Sequence, residues 1–167
     1  MLWILIIIPV AIVAYYFFPE KKLPPDRTID RLVVYKSKRR MEAYSGNGLL
    51  KTYTISLGKN PIGHKQFEGD IKTPEGTYTI NDRNPNSAFY KNLGISYPNA
   101  SDITKAEKSG KLPGGDIKIH GLRNGKGYIG KFHRWKNWTA GCIAVTNAEM
   151  EGLYRAIKEN AVIEIKA

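Results

Sequence analysis

The chain has 167 residues, room for one globular domain, and its 26 Lys and Arg against 15 Asp and Glu give a formal charge of +11. A balance of that sign bears on partners rather than fold, and it leaves nucleic acid, anionic lipid and anionic wall polymers to be weighed. The single cysteine, Cys142, excludes an intrachain disulfide and any metal site built on several thiolates.

The first 18 residues carry no charged side chain. As a helix, Leu2 to Phe18 covers about 25 Å, close to the hydrocarbon thickness of a bilayer. Pro9 is tolerable there, and Tyr15 and Tyr16 suit an interfacial belt. No basic segment precedes the run, and Ala11 and Ala14 are too far apart for a small-x-small cleavage site. Residues 1–18 therefore read as a transmembrane anchor rather than a cleaved signal. Lys21 and Lys22 favour a cytoplasmic side for the domain C-terminal to them, but large domains cross regardless of that bias.

Residues 19–28, with Pro19, Pro24 and Pro25, read as a stiff linker, and residues 29–167 as the folded domain. Strands are expected at Arg31–Lys36, Met41–Tyr44 and Leu49–Leu57, joined as a meander by a basic turn at Ser37–Arg40 and by Ser45-Gly46-Asn47-Gly48. Gly58–Gly76 reads as loop and Thr77–Ile80 as strand. Asn81–Asn99, polar and Asn-rich, reads as a long functional loop. Ser101 or Asp102 is expected to cap a short helix to about Lys108. A strand ends at His120, and a Gly-rich flexible loop runs from Gly121 to about Trp138. Ile143–Val145 is strand-like, and Asn147 is expected to cap a helix with Met150, Leu153, Tyr154 and Ile157 on one apolar face. Asn160 ends that helix before a last strand, Val162–Ile165. The class is mainly β, with one or two short helices behind an N-terminal membrane helix.

Two short pieces carry chemistry: Ile119-His120-Gly121 and Trp138-Thr139-Ala140-Gly141-Cys142. A lone thiol is either buried filler or a nucleophile. A Gly before the Cys lets the backbone turn tightly and converge main-chain N–H groups on an oxyanion. One such donor is typically worth about 3 kcal/mol of transition-state stabilisation. A nucleophilic Cys then needs an imidazole nearby. Local context ranks His120, at a strand end before Gly, above His133, in a basic loop that looks exposed, and above His64.

The spacing of His-Gly and Thr-x-Gly-Cys, together with Lys72-Thr73-Pro74-Glu75-Gly76-Thr77-Tyr78 and Ser56-Leu57-Gly58, resembles the L,D-transpeptidase catalytic domain, the YkuD-type family. Asn84-Pro85, Ile95-Ser96-Tyr97-Pro98-Asn99 and Trp138-Thr139-Ala140-Gly141-Cys142 resemble its YafK-like branch. The resemblance spans residues 29–166, nearly the whole of the chain beyond the apolar run and linker, and implies a β-sandwich or barrel. It also implies Cys142 as nucleophile, His120 as base and the Gly121 carbonyl as orienter of the imidazole. The N–H groups of Ala140, Gly141 and Cys142 would form the oxyanion hole. Arg123, Arg83, Tyr97, Trp138, Thr139 and His133 are the candidates for contact with substrate. This chain departs from the pattern at Ala140, where many members carry a second His, and at Ala144, where many carry Arg.

The implied substrates are peptidoglycan stem peptides, with no cofactor and no metal. The acceptor is an amine, which gives a crosslink or an attached protein, or water, which makes the enzyme a hydrolase. A non-catalytic basic wall-binding module is the reading from another class. Lys36-Ser37-Lys38-Arg39-Arg40 is a candidate for drawing in anionic wall polymers. Nucleic acid is set aside, because the apolar leader argues against a cytosolic role. The expected location is the cell envelope, with the domain outside the cytoplasmic membrane.

Overall fold

The computed structural model describes residues 2–167, with side chains from Val10 onward. In chain order the elements are α1 (Leu2–Phe17), β1 (Ile29–Tyr35), β2 (Arg40–Ser45), β3 (Gly48–Thr54), β4 (Gly76–Ser87), β5 (Tyr90–Ile95), α2 (Ala100–Lys108), β6 (Lys118–His120), β7 (Ile143–Ala144), α3 (Asn147–Ala156) and β8 (Ile157–Lys166). A 3-10 segment, Gly127–Trp135, lies between β6 and β7. The expected anchor is helical over 16 residues, although the side chains of its first half, Pro9 included, lie outside the described part. Among the described residues no helix is long and apolar enough to cross a membrane.

The strands form one sheet in the order β3-β2-β1-β8-β4-β5-β6-β7. The expected meander is present, with Val33 opposite Glu42 and Ala43 opposite Lys51. The chain's last strand, β8, fills the centre, parallel to β1 and antiparallel to β4. Its Ala161, Ile163 and Ile165 alternate into the core, as a half-buried strand requires. The sheet curls until its ends meet. Beyond β3, Ser56 bridges Ala144 and Gly58 bridges Thr139, closing the seam beside β7. Leu32, Val34, Tyr53, Ile119 and Ile143 fill the interior, where α3 adds Met150 and Leu153. Each aliphatic side chain so buried contributes about 2 kcal/mol.

Several expectations are corrected. The polar stretch expected as a loop is the β4–β5 hairpin, with Ile80 opposite Ile95 and Asn84 opposite Asn92. Register shifts and exposed polar positions interrupt its alternation, which hides it from a periodicity reading. Helix α2 is capped by Asn99, whose side chain accepts from the Asp102 N–H while Asp102 accepts in return. Helix α3 is capped by Thr146 in the same reciprocal way with Glu149, one residue earlier than expected. It stops at Ala156, because Ile157 already has extended backbone and begins β8. The stretch expected to be flexible after Gly121 is packed: Lys131, His133 and Arg134 of the 3-10 segment are buried.

Candidate functional site

Three stretches far apart in sequence hold Cys142 at the seam. Thr73, fully buried, accepts the Gly58 N–H on its hydroxyl at 3.0 Å. The Leu57 carbonyl accepts from the N–H groups of Trp138 and Thr139. Gly141 then crosses the Lys72 carbonyl so closely that a Cβ there would lie 2.7 Å from that oxygen, and its φ is +137°. Only glycine tolerates both constraints, which is the local reason for Gly before Cys. The Thr139 hydroxyl locks the turn, accepting the Gly141 N–H at 3.1 Å and donating to the Cys142 carbonyl at 2.7 Å.

That lock engages one of the three N–H groups expected to form the oxyanion hole. The Gly141 N–H is engaged by Thr139, which leaves the N–H groups of Ala140 and Cys142. Neither of these bonds to an acceptor among the described residues.

His120 ends β6. Parallel pairing sets Ile119 opposite Ile143 and His120 opposite Ala144. Ile119 and Ile143 enter the core, so alternation turns His120 and Cys142 to the other face, one diagonal step apart. Diagonal neighbours in a sheet stand about 7–8 Å apart, within reach of long side chains. The two are not hydrogen-bonded to each other in this state. The thiol donates to the Asp116 carbonyl at 3.6 Å, and His120 Nδ1 donates to the Gly121 carbonyl at 2.7 Å. With the proton on Nδ1, Nε2 of the neutral ring is the acceptor. Gly121 is fixed by packing, since a Cβ would lie 2.7 Å from Asn147 Oδ1, which in turn accepts the Leu122 N–H.

Burial sets the protonation of the pair. It pushes the Cys142 thiol above its ordinary range, although the Lys118 main-chain N–H facing the sulfur works the other way. Burial also holds the His120 imidazole below its ordinary value, against the opposing effect of the Gly121 carbonyl. The resting state at neutral pH is therefore thiol and neutral imidazole, not an ion pair.

The remaining candidates divide. Trp138 packs edge-on against His120 with ring centroids 5.6 Å apart. His133, expected to be exposed, is buried: its Nδ1 donates to Ser56 Oγ at 3.3 Å, and Ser56 Oγ donates to the His133 carbonyl at 2.8 Å. Burial, with Arg134 and His120 nearby, lowers its pKa to about 4. Arg123 is exposed two residues beyond Gly121. Arg83 is not brought to the site. Its row runs through Leu93 to Ile119, the face opposite His120, and it donates to the Tyr154 carbonyl at the end of α3. Tyr97 is a core residue that packs on Tyr78 and donates to the Pro113 carbonyl. His64 sits between the Glu75 N–H and the Asp102 carboxylate, a structural position. Lys36 of the basic cluster is buried against the Thr73 carbonyl and Glu75 rather than displayed to anions.

Two neighbours of His120 escape a reading of local pattern. Phe89, at the tip of the β4–β5 hairpin, lies 4.7 Å from the imidazole between ring centroids. Asn92 is the cross-strand partner of His120, is buried, and its Oδ1 has no hydrogen-bond partner among the described residues. Both fall in the stretch that reads as loop, and pairing of β5 with β6 is what brings them in. Among the described residues no cluster of His, Cys, Asp and Glu could hold a metal ion.

A curled, mainly β sheet with short helices, closed at a Gly-Cys turn beside a strand-end histidine, defines a half-barrel domain of the L,D-transpeptidase type. The chain belongs to the YkuD family: the model of the L,D-transpeptidase catalytic domain matches residues 29–165. YafK of Escherichia coli K12, described as a candidate L,D-transpeptidase, is 28% identical over 130 residues, 74% of this chain and 45% of that protein. The cell-shape-determining protein Pgp2 of Campylobacter jejuni superposes with a TM-score of 0.61 at 22% identity, over 92% of this chain and 53% of that one. An L,D-transpeptidase from Mycobacterium smegmatis gives 0.55 at 13% identity, over 82% and 58%. These likenesses to solved structures show the fold. The chain spans about half the length of the relatives it matches.

Proposed function

We propose that this chain is a peptidoglycan L,D-transpeptidase working through a thioacyl-enzyme on Cys142. The observation that carries the reading is the β6–β7 register, which sets a neutral imidazole with a free Nε2 diagonally across from the half-buried thiol. Rotation about the Cys142 side chain moves the thiol from the Asp116 carbonyl toward His120. Nε2 takes the proton as sulfur attacks the carbonyl of the L,D bond after the third stem residue. The oxyanion rests on the N–H groups of Ala140 and Cys142. His120 returns the proton to the departing D-alanine amine, leaving a thioester. An acceptor amine then attacks the thioester carbonyl, giving its proton to His120; the C–S bond breaks as the new amide forms, and His120 returns the proton to sulfur. Trp138 and Phe89 wall the imidazole and exclude water from it.

The location follows from the same reading. The wall lies outside the cytoplasm, and the apolar α1 anchors the domain at the membrane's outer side. Support comes from the apolar run itself and from the exposure of Val10, Val13, Phe17 and Phe18.

Intact-mass spectrometry after exposure to a disaccharide-tetrapeptide or a carbapenem tests the proposal. The expected result is an adduct on Cys142, lost in Cys142→Ala and in His120→Ala. Added acceptor amine should yield crosslinked product; release without crosslinking would make the enzyme a hydrolase. No adduct under any condition would overturn the enzymatic reading.

A further inference from the structure

The 3-10 segment Gly127–Trp135 has two faces. One is turned inward: Lys131, His133 and Arg134 are buried, and His133 bonds to Ser56 next to the catalytic seam. The other is turned out: Tyr128 is 68% exposed and Trp135 62% exposed. Two large aromatic rings in water on one short segment call for a partner.

The segment is also fastened to the foot of α1. Tyr16 donates to the Tyr128 carbonyl at 2.7 Å, and Lys131 donates to the carbonyls of Tyr15 and Phe18. Arg134 grips the Glu20 carboxylate through both oxygens, at 2.7 and 3.2 Å. Gly130 lets the Tyr16 ring approach, since a Cβ there would lie 2.9 Å from it. A row of rings runs from helix to segment: Tyr16 to Phe132 at 5.1 Å, then Phe132 to Trp135 at 4.7 Å. Phe17 and Phe18 at the helix foot are 74% and 71% exposed. The aromatic patch is thus continuous with the apolar helix.

We propose that this patch is a membrane seat: Tyr128 and Trp135 of the catalytic domain, with Phe17 and Phe18, lie in the lipid interface of a bilayer containing anionic lipid. The inference rests on the reading of α1 as a membrane anchor and extends the contact to the catalytic domain itself. Amphipathic rings at headgroup depth, flanked by lysines, are the composition such an interface selects. Lys21, Lys22, Lys126 and Lys136 are exposed around the patch, and the Lys126 ammonium lies 5.7 Å from the Tyr128 ring centre. Anionic headgroups complement that rim. Because the segment links the His120-Gly121 end of the site to Trp138, seating it fixes the site at the bilayer surface. The substrate in reach is then the part of the wall polymer that lies against the membrane.

The test uses the full chain in phosphatidylcholine–phosphatidylglycerol vesicles carrying brominated acyl chains, which quench indole fluorescence on contact. The chain has three tryptophans, Trp3, Trp135 and Trp138. In Trp3→Phe, quenching should lower the emission, and the loss should be confined to Trp135. The double variant Trp3→Phe/Trp135→Phe, which keeps Trp138, should be unquenched. Equal quenching in these two variants would overturn the seat, including where a protein covers the patch instead. Flotation with the vesicles and quenching of Trp3, read as the difference between the parent chain and Trp3→Phe, report the anchor separately. Flotation with Trp3 quenched and Trp135 unquenched sinks the seat alone, and absence of flotation sinks both.

Discussion

At Gly141 the backbone has φ of +137°, and the Lys72 carbonyl oxygen occupies the space a side chain would need. Gly141→Ala must displace the turn that carries Cys142. The expected cost is about 1–3 kcal/mol of stability, from strain at a φ that L residues avoid. A displacement on the order of 1 Å at the sulfur should lower acylation by about 10²-fold. Thermal melts and the rate of carbapenem adduct formation read the two effects. The pair's protonation gives a second expectation. Burial raises the Cys142 thiol, so alkylation by iodoacetamide should stay slow at neutral pH and climb only in the alkaline range. His120 is lowered by burial, so its base form is complete by neutral pH, and acylation by substrate should level off there. Alkylation that reached its plateau below neutral pH would show a preformed thiolate–imidazolium pair instead. Cys142 and His120 stood out in the sequence, because Gly-Cys and His-Gly are local requirements of backbone geometry. Asn92 and Phe89 were not, because only the pairing of β5 with β6 gives them a relation to His120.

Among elements, α3 shows how one side chain can serve two interfaces. Glu149 completes the N-cap of α3 by accepting from the Thr146 N–H at 3.0 Å. Its other oxygen accepts from Arg134 at 2.9 Å and lies 3.9 Å from the Lys51 ammonium. Arg134 then reaches out to Glu20, so the helix cap, the 3-10 segment and the residues after α1 share one ion network. Glu149→Ala would leave two buried cations short of a partner and remove one half of the α3 capping box, leaving the Thr146 hydroxyl to cap alone. A cost of about 3–5 kcal/mol is expected. Glu20→Ala removes a partly exposed partner, and solvent replaces it at a cost of about 1 kcal/mol or less. Urea unfolding of the two variants should show that order; equal costs would mean that Arg134 is held from outside as firmly as from within. The sequence placed the starts of the meander strands and of α3 within a residue or two, since turn residues and the Met150–Leu153 spacing are local signals, but it ran α3 on to Asn160 where β8 already begins at Ile157. It misread the 3-10 segment, whose basic composition looked solvated. Lys131 is buried against carbonyls, and Arg134 grips a carboxylate at Glu20, that come from more than 100 residues away.

For the molecule as a whole, closure of the sheet was the part no local pattern could reveal. Strand β8 runs parallel to β1 across more than 100 residues of intervening chain, and the seam is closed by isolated bridges at Ser56 and Gly58 with the Leu57 carbonyl bonded between them. Parallel pairing of distant segments leaves no periodicity signature of its own. His133 lies behind that seam, bonded to Ser56, and its burial as a neutral ring ties closure to pH. The groups facing it are Arg134, which repels its charged form, and His120 across the Trp138 ring. Its folded pKa of about 4 lies below the ordinary histidine value of 6.5. The unfolded chain therefore binds more protons in the window between. The stability His133 contributes is complete above about pH 6.5 and is lost as pH falls toward 4, a loss on the order of 2–3 kcal/mol. Burial lowers His120 as well, so it acts in the same direction. Glu20, held near 2 chiefly by its hydrogen bond from Arg134, weakens the fold only below its ordinary value of 4.5 and so does not confuse the upper window. His133→Asn keeps a donor for Ser56 and removes the titration. Its urea midpoint should fall less than that of the parent chain between pH 7 and pH 4.5. Parallel curves for the two proteins would mean that the imidazole takes up its proton without opening the seam.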